Sequence, residues 1–147
     1  MRRLADEKMR GFVEYNKWNK TIIVELINSM TMEKRNEVLE LSLEFALQII
    51  SYCELLEEER KYVIARQLLK SGTSVGANIR EAQNAESNHD FIHKLKIAAK
   101  EAGETEYWLL LCEKSPNYPK NDGLFTSINS IQKLLNSIIA TMKNKKG

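Results

Sequence analysis

Glu86 and His89 stand three residues apart, the spacing at which a helix presents a carboxylate and an imidazole to a di-iron centre. Such a centre needs a second Glu-x-x-His pair and two further carboxylates. The chain's other histidine is His93, so the second pair is missing. His89 and His93, four residues apart, have the spacing to share a zinc ion with Asp90 or Glu86. They fall in the first turns of a candidate helix, where a solvated helix end is the simpler reading, and no metal is expected. Neither a Ser/His/Asp order nor a Cys/His pairing supports nucleophilic catalysis. Glu101, Glu104 and Glu106 cluster in sequence, but positions three and five apart do not all share a helix face, and salt bridges account for them. Cys53 and Cys112 sit in apolar stretches without CxxC spacing, as buried free thiols of a reducing compartment do. No cofactor is implied, and the chain is expected not to be an enzyme.

Basic residues offer a different chemistry. Arg66 with Lys70, and Lys96 with Lys100, are i,i+4 pairs that each raise a positive ridge, and Arg80 and Lys94 join them near the end of one hairpin. Phosphate contacts to RNA or DNA are the functional reading. A solvated charged face is the ordinary one.

The run from Lys70 to Asn78 is rich in glycine and hydroxyl residues. Taken alone it reads as a loop, since each glycine costs about 1 kcal/mol relative to alanine in a helix. It lacks the GxxxxGK[ST] order of a phosphate-binding loop. The four-three spacing set by Ile64 and Leu68 continues through Ser71, Val75, Asn78 and Ala82 to Ala85 without a slip, so a continuous helix is expected. Ser71, Gly72, Val75 and Gly76 then form a small face. Ala98 and Ala102 of the following helix supply a matching one, Ser71 opposite Ala102 and Val75 opposite Ala98, allowing closer approach than the usual 8 to 10 Å or so. Asn78 either fixes register or oligomeric state or bonds a neighbouring helix.

The surrounding elements repeat that spacing. Helix 1 (33–56) carries Val38, Leu41, Phe45, Ile49, Tyr52 and Leu56, with Thr31 as its N-cap. Glu57, Glu58 and Glu59 open helix 2 at its positive end. Ser87 and Asp90 resemble a capping box before helix 3, whose seam is Phe91, Leu95, Ala98, Ala102, Thr105, Leu109 and Cys112. Ser115 to Pro119 is a loop, and Asn121 or Asp122 caps helix 4, with Leu124, Ile128, Ile131, Leu135, Ile138 and Met142 inside and a frayed lysine-rich end at 143–146. Four such seams predict an all-α, antiparallel up-and-down four-helix bundle over 32–147. Residues 1–31 form an N-terminal extension, helical around Phe12, Tyr15, Trp18, Ile22, Ile23, Leu26 and Ile27 and interrupted near Asn16 to Asn19. It packs on the bundle, binds a partner subunit or is partly disordered; a docked helix is expected.

At 147 residues with six glycines and two prolines, the chain has room for one core and few turns. A net charge of +2 neither demands nor excludes a nucleic acid. The N-terminus has no apolar signal region and no run is long enough to span a bilayer, so the expected location is cytoplasmic, with no membrane partner.

The stretches Arg66–Ala82 and Asp90–Leu109 closely resemble the hallmarks of one bacterial family, the four-helix-bundle proteins encoded in intervening sequences of 23S ribosomal RNA genes. That family is related to the accessory variability proteins of diversity-generating retroelements. The likeness covers about residues 32–147, and Met32 sits where family members tend to begin. The resemblance implies a homopentamer without known enzymatic activity. The retroelement relatives bind nucleic acid and a reverse transcriptase through a positive surface, from which this nearly neutral chain departs. The resulting expectation is an oligomeric bundle that binds RNA or DNA in a ribonucleoprotein or retroelement-like assembly. A protein-interaction scaffold without nucleic-acid affinity is the alternative.

Overall fold

A computed structural model describes residues 1–121 and 123–145, and among these residues it is built from helices without strands. The order is α1 (Arg2–Glu58), α2 (Tyr62–Ala82), α3 (Asn88–Lys114) and α4 (Leu124–Asn144). The chain divides into two compact units, Met1–Glu33 and Lys34–Gly147.

In the first unit the backbone is helical from Arg2 onward, through Asn16 to Asn19, where the sequence predicts an interruption. Asparagine lowers helix propensity by only a fraction of a kcal/mol, roughly 0.7 at most, too little to break a long helix. Thr31 is interior rather than capping. Its hydroxyl donates to the Ile27 carbonyl at 2.8 Å, the back-bond that lets threonine sit within a helix.

The second unit buries one core. Val38, Phe45, Ile49 and Leu56 of α1 meet Leu68, Val75 and Ile79 of α2, Leu95 and Leu109 of α3, and Ile128, Ile131, Leu135 and Ile138 of α4, all essentially inaccessible. Every seam residue predicted for α3 and α4 is buried. Cross-helix bonds give the pairing. Arg35 Nη2 donates to Gln83 Oε1 (3.1 Å), Ser42 lies against Gly76, and Ile49 against Gly72. Lys34 Nζ donates to Ser137 Oγ (2.7 Å), and Gln132 Nε2 to Glu106 Oε2 (2.9 Å). In the α1–α2 pair, numbers fall on one helix as they rise on the other.

Three helix ends differ from expectation. Glu57 and Glu58 close α1 instead of opening α2. The stop comes from Arg60, whose φ of 61° is left-handed. The Arg60 amide donates to the Glu57 carbonyl (2.9 Å) and the Lys61 amide to that of Leu56 (2.8 Å), which is a Schellman closure without its usual glycine. Asn121 does not cap α4 by its side chain; its Nδ2 donates to the Leu109 carbonyl of α3 at 3.0 Å. The position before α4 is Gly123, at φ 80°. Asp122, the other predicted cap, lies outside the described residues, as does Lys146 of the lysine-rich end. Ser87 does cap α3, accepting from the Asp90 amide at 3.1 Å. In return the Glu86 amide donates to Asp90 Oδ2 (3.3 Å), one residue earlier than in a full capping box.

The glycines of α2 lie within an unbroken helix. A Cβ built at Gly72 would stand 2.9 Å from Ile49 Cγ2, and one at Gly76 would stand 3.3 Å from the Ser42 carbonyl oxygen. Both glycines therefore turn toward α1 and not toward the alanines of α3. They follow Ser71 and Val75 by one residue, about 100° around the helix, so α2 carries two small rows. Ser71, Val75, Ala98 and Ala102 are all buried. Asn78 is half-buried, and its Nδ2 donates within its own helix to the Ser74 carbonyl (2.8 Å) rather than to a neighbour.

Candidate nucleic-acid interface

The basic residues singled out from sequence are divided between α2 (Arg66, Lys70, Arg80) and α3 (Lys94, Lys96, Lys100). Arg66 and Lys70 are exposed one turn apart on α2. Arg80 borders a depression of about 180 Å³ between α1 and α2, together with Leu39, Leu43, Thr73 and Ala77. Lys94 is committed elsewhere: its ammonium donates to Glu81 Oε2 at 2.9 Å across the α2–α3 turn. That carboxylate raises the Lys94 pKa, so the pair offers little uncompensated charge to a phosphate.

Lys96 and Lys100 are better placed. Lys96 shares a depression of about 180 Å³ with His89, Ile92 and His93 of α3 and Lys143 of α4. On a helical wheel His89, His93, Lys96 and Lys100 follow steps of four, three and four, and so stand in one row. All four are exposed. Exposed Tyr107 continues the row two turns farther on, its ring 5.5 Å from that of Trp108. Trp108 is held by its indole N–H, which donates to Glu104 Oε1 at 3.2 Å.

The residues thus make a ladder of nitrogen-bearing side chains along one edge of α3, widened at its start by a lysine from α4. Sequence reasoning found Lys96 and Lys100 but set the histidines aside as candidate metal ligands. Their four-three-four spacing with the lysines was the signal that would have joined them. Lys143 needed the tertiary structure. Among the described residues no three His, Cys, Asp or Glu side chains gather as a metal-ligating group.

Arg35 braces the same end of the second unit. Its guanidinium lies 4.4 Å from the centre of the Phe91 ring, fastening α1 to the first turn of α3. At the other end Tyr52, Cys53 and Cys112 are buried together. Burial is the main reason all three titrate above their ordinary ranges, with Cys53 pushed up to about 12. Such thiols are protonated at neutral pH and are poor nucleophiles. Among the described residues no helix is long and apolar enough to cross a membrane.

Comparison with known proteins agrees with this architecture. Residues 34–137, more than half of the chain, match the family described as 23S rRNA-intervening sequence protein. A crystal structure of a protein of unknown function from the S23 ribosomal protein family of Bacteroides thetaiotaomicron is 47% identical. The match covers 73% of this chain and 98% of that one, at a TM-score of 0.69. No curated protein matches.

Proposed function

Because the chain belongs to the 23S rRNA-intervening sequence protein family, we propose that it is a non-enzymatic, oligomeric bundle protein of the cytoplasm. In this reading it binds RNA or DNA within a ribonucleoprotein or retroelement-like assembly, where a reverse transcriptase is one candidate protein partner. The observation that carries the proposal is the row of His89, His93, Lys96 and Lys100 with Lys143 beside it. Lysine ammoniums at helical spacing suit successive phosphates, and Tyr107 at the end of the row presents a ring face on which a base can stack. Homo-oligomerisation, a pentamer by family resemblance, would multiply such edges on one particle.

Filter binding of single-stranded RNA over a salt series tests the proposal. Affinity should fall linearly on logarithmic axes. Replacing Lys96, Lys100 and Lys143 by glutamine should shallow the slope by up to about 2, at roughly 0.7 per phosphate contact. Affinity indifferent to salt, or no binding at low salt, would overturn it.

A second reading has its own observation. Leu43, Leu47 and Ile50 lie exposed along one face of α1, beside the depression that Arg80 borders. An apolar row of that kind suits a protein contact. A scaffold without nucleic-acid affinity would lose its partner when Leu47 becomes glutamate, while the lysine substitutions would leave it unchanged.

A further inference from the structure

Residues 1–33 lie outside the matched family region and form a unit of their own. Within that unit the backbone is one helix, and most of its large apolar side chains are exposed. Met9, Phe12, Ile23 and Leu26 are each more than half exposed. These residues are not scattered. With Asn16 and Asn19 they alternate by three and four, as the a and d positions of a heptad seam do, and Ala5 and Met30 extend the series at its two ends. The next seam positions are Glu33 and Glu37, where the apolar pattern stops.

We propose that this helix pairs with the same helix of a second copy, the two running in opposite directions. In that arrangement each layer joins an a residue to a d residue of the other copy. A single register sets Met9 against Leu26, Phe12 against Ile23, and Asn16 against Asn19, and by symmetry each layer occurs twice. The paired side-chain amides satisfy one another at the centre. A slip of one heptad would instead place Asn16 against Leu26 or Phe12, burying amide groups without partners. Buried seam asparagines thus set the register.

Charge selects the direction. Arg2, Arg3, Lys8, Arg10, Lys17 and Lys20 outnumber Asp6, Glu7 and Glu14 in the first part of the helix, whereas residues 21–33 carry Glu25 and Glu33 and no basic residue. Opposed helices set the positive part of each copy beside the negative part of the other. Helices running the same way would superpose like charges.

The test uses the full-length chain in two single variants, Met9→Cys and Leu26→Cys, oxidised separately and as an equal mixture. The native thiols Cys53 and Cys112 are buried and stay silent. Facing seam positions bring Cβ atoms within disulfide reach. The mixture should give a dimer whose linked peptides join positions 9 and 26, well in excess of any dimer in the separate samples. Adding Ile23→Glu should abolish that link while the thermal unfolding curve of the bundle is unmoved. Self-linking of Met9→Cys as efficient as the mixed link would show a parallel pair and overturn the proposal. Absence of any dimer in the mixture would do the same. Because the readout is a linked position within residues 1–33, it is independent of whether the α3 edge binds RNA and of how the bundles themselves associate.

Discussion

Replacing Gly72 by alanine sets two effects of known size against each other. Alanine in a helix interior gains about 1 kcal/mol over glycine. At Gly72 the new methyl would stand 2.9 Å from Ile49 Cγ2 and 3.1 Å from Ile49 Cγ1. Ile49 is fully buried, and its branched Cβ leaves it little rotamer freedom, so the methyl cannot be cleared by swinging a chain end aside. Overpacking of this kind costs about 1 to 3 kcal/mol, which puts the net effect between roughly zero and 2 kcal/mol of destabilisation. Gly103 supplies the reference. It too is helical, but nothing lies within 4 Å of a Cβ built there, so Gly103→Ala should stabilise by about the full 1 kcal/mol. Urea unfolding followed by helical circular dichroism, at one protein concentration, measures both. Gly72→Ala should lie about 1 to 3 kcal/mol below Gly103→Ala. Combining Gly72→Ala with Ile49→Ala should cost less than the sum of the two single changes, because the second removes the atoms the first collides with. Equal stabilisation by the two glycine replacements would refute the close approach of α1 and α2.

Other expectations are more local. Ser87→Ala removes the acceptor for the Asp90 amide and should cost about 1 kcal/mol in the same urea assay. Arg60→Gly relieves a left-handed residue and should stabilise by about 1 kcal/mol, raising the melting temperature. Cys53 is pushed from an ordinary value of 9.0 up to about 12 by burial, so above pH 9 the unfolded chain loses that proton while the folded chain keeps it. Its contribution to stability is therefore complete below pH 9. It should decline toward pH 12 by up to about 1.4 kcal/mol per pH unit, a slope that Cys53→Ala removes in urea titrations at pH 8, 9 and 10.

The seams of α3 and α4 were legible because each is one row of apolar residues facing one core, and spacing alone reports that. The α2 seam was read as one row where the structure has two, since Gly72 and Gly76 carry no side chain to register in a hydrophobic pattern. The end of α1 was hidden for another reason. Three glutamates favour a first helical turn, but they are also good helix formers, and the residue that stops the helix is an arginine in a conformation that glycine usually marks. Thr31 illustrates the same ambiguity, its hydroxyl serving equally as a cap or as a back-bonding group inside a helix. In the candidate interface, Lys96 and Lys100 were visible as a pair. Lys143 was not, because it joins them only when α4 lies beside α3.

The connection between α3 and α4 has the proline content of a free segment, yet it is fastened to distant parts of the chain. Tyr52 Oη donates to the Pro119 carbonyl at 2.7 Å, Lys61 lies 5.0 Å from the Tyr118 ring centre, and Asn121 reaches back to Leu109. The first of these bonds spans 67 residues, and the one from Lys34 to Ser137 spans 103. A ribosome delivers α4 after the other three helices, so the stretch of α1 from Lys34 onward waits through the synthesis of α2 and α3 for these neighbours. Until then the apolar side of that stretch lacks the cover that α4 supplies, and the arrival of α4 is the event that closes it.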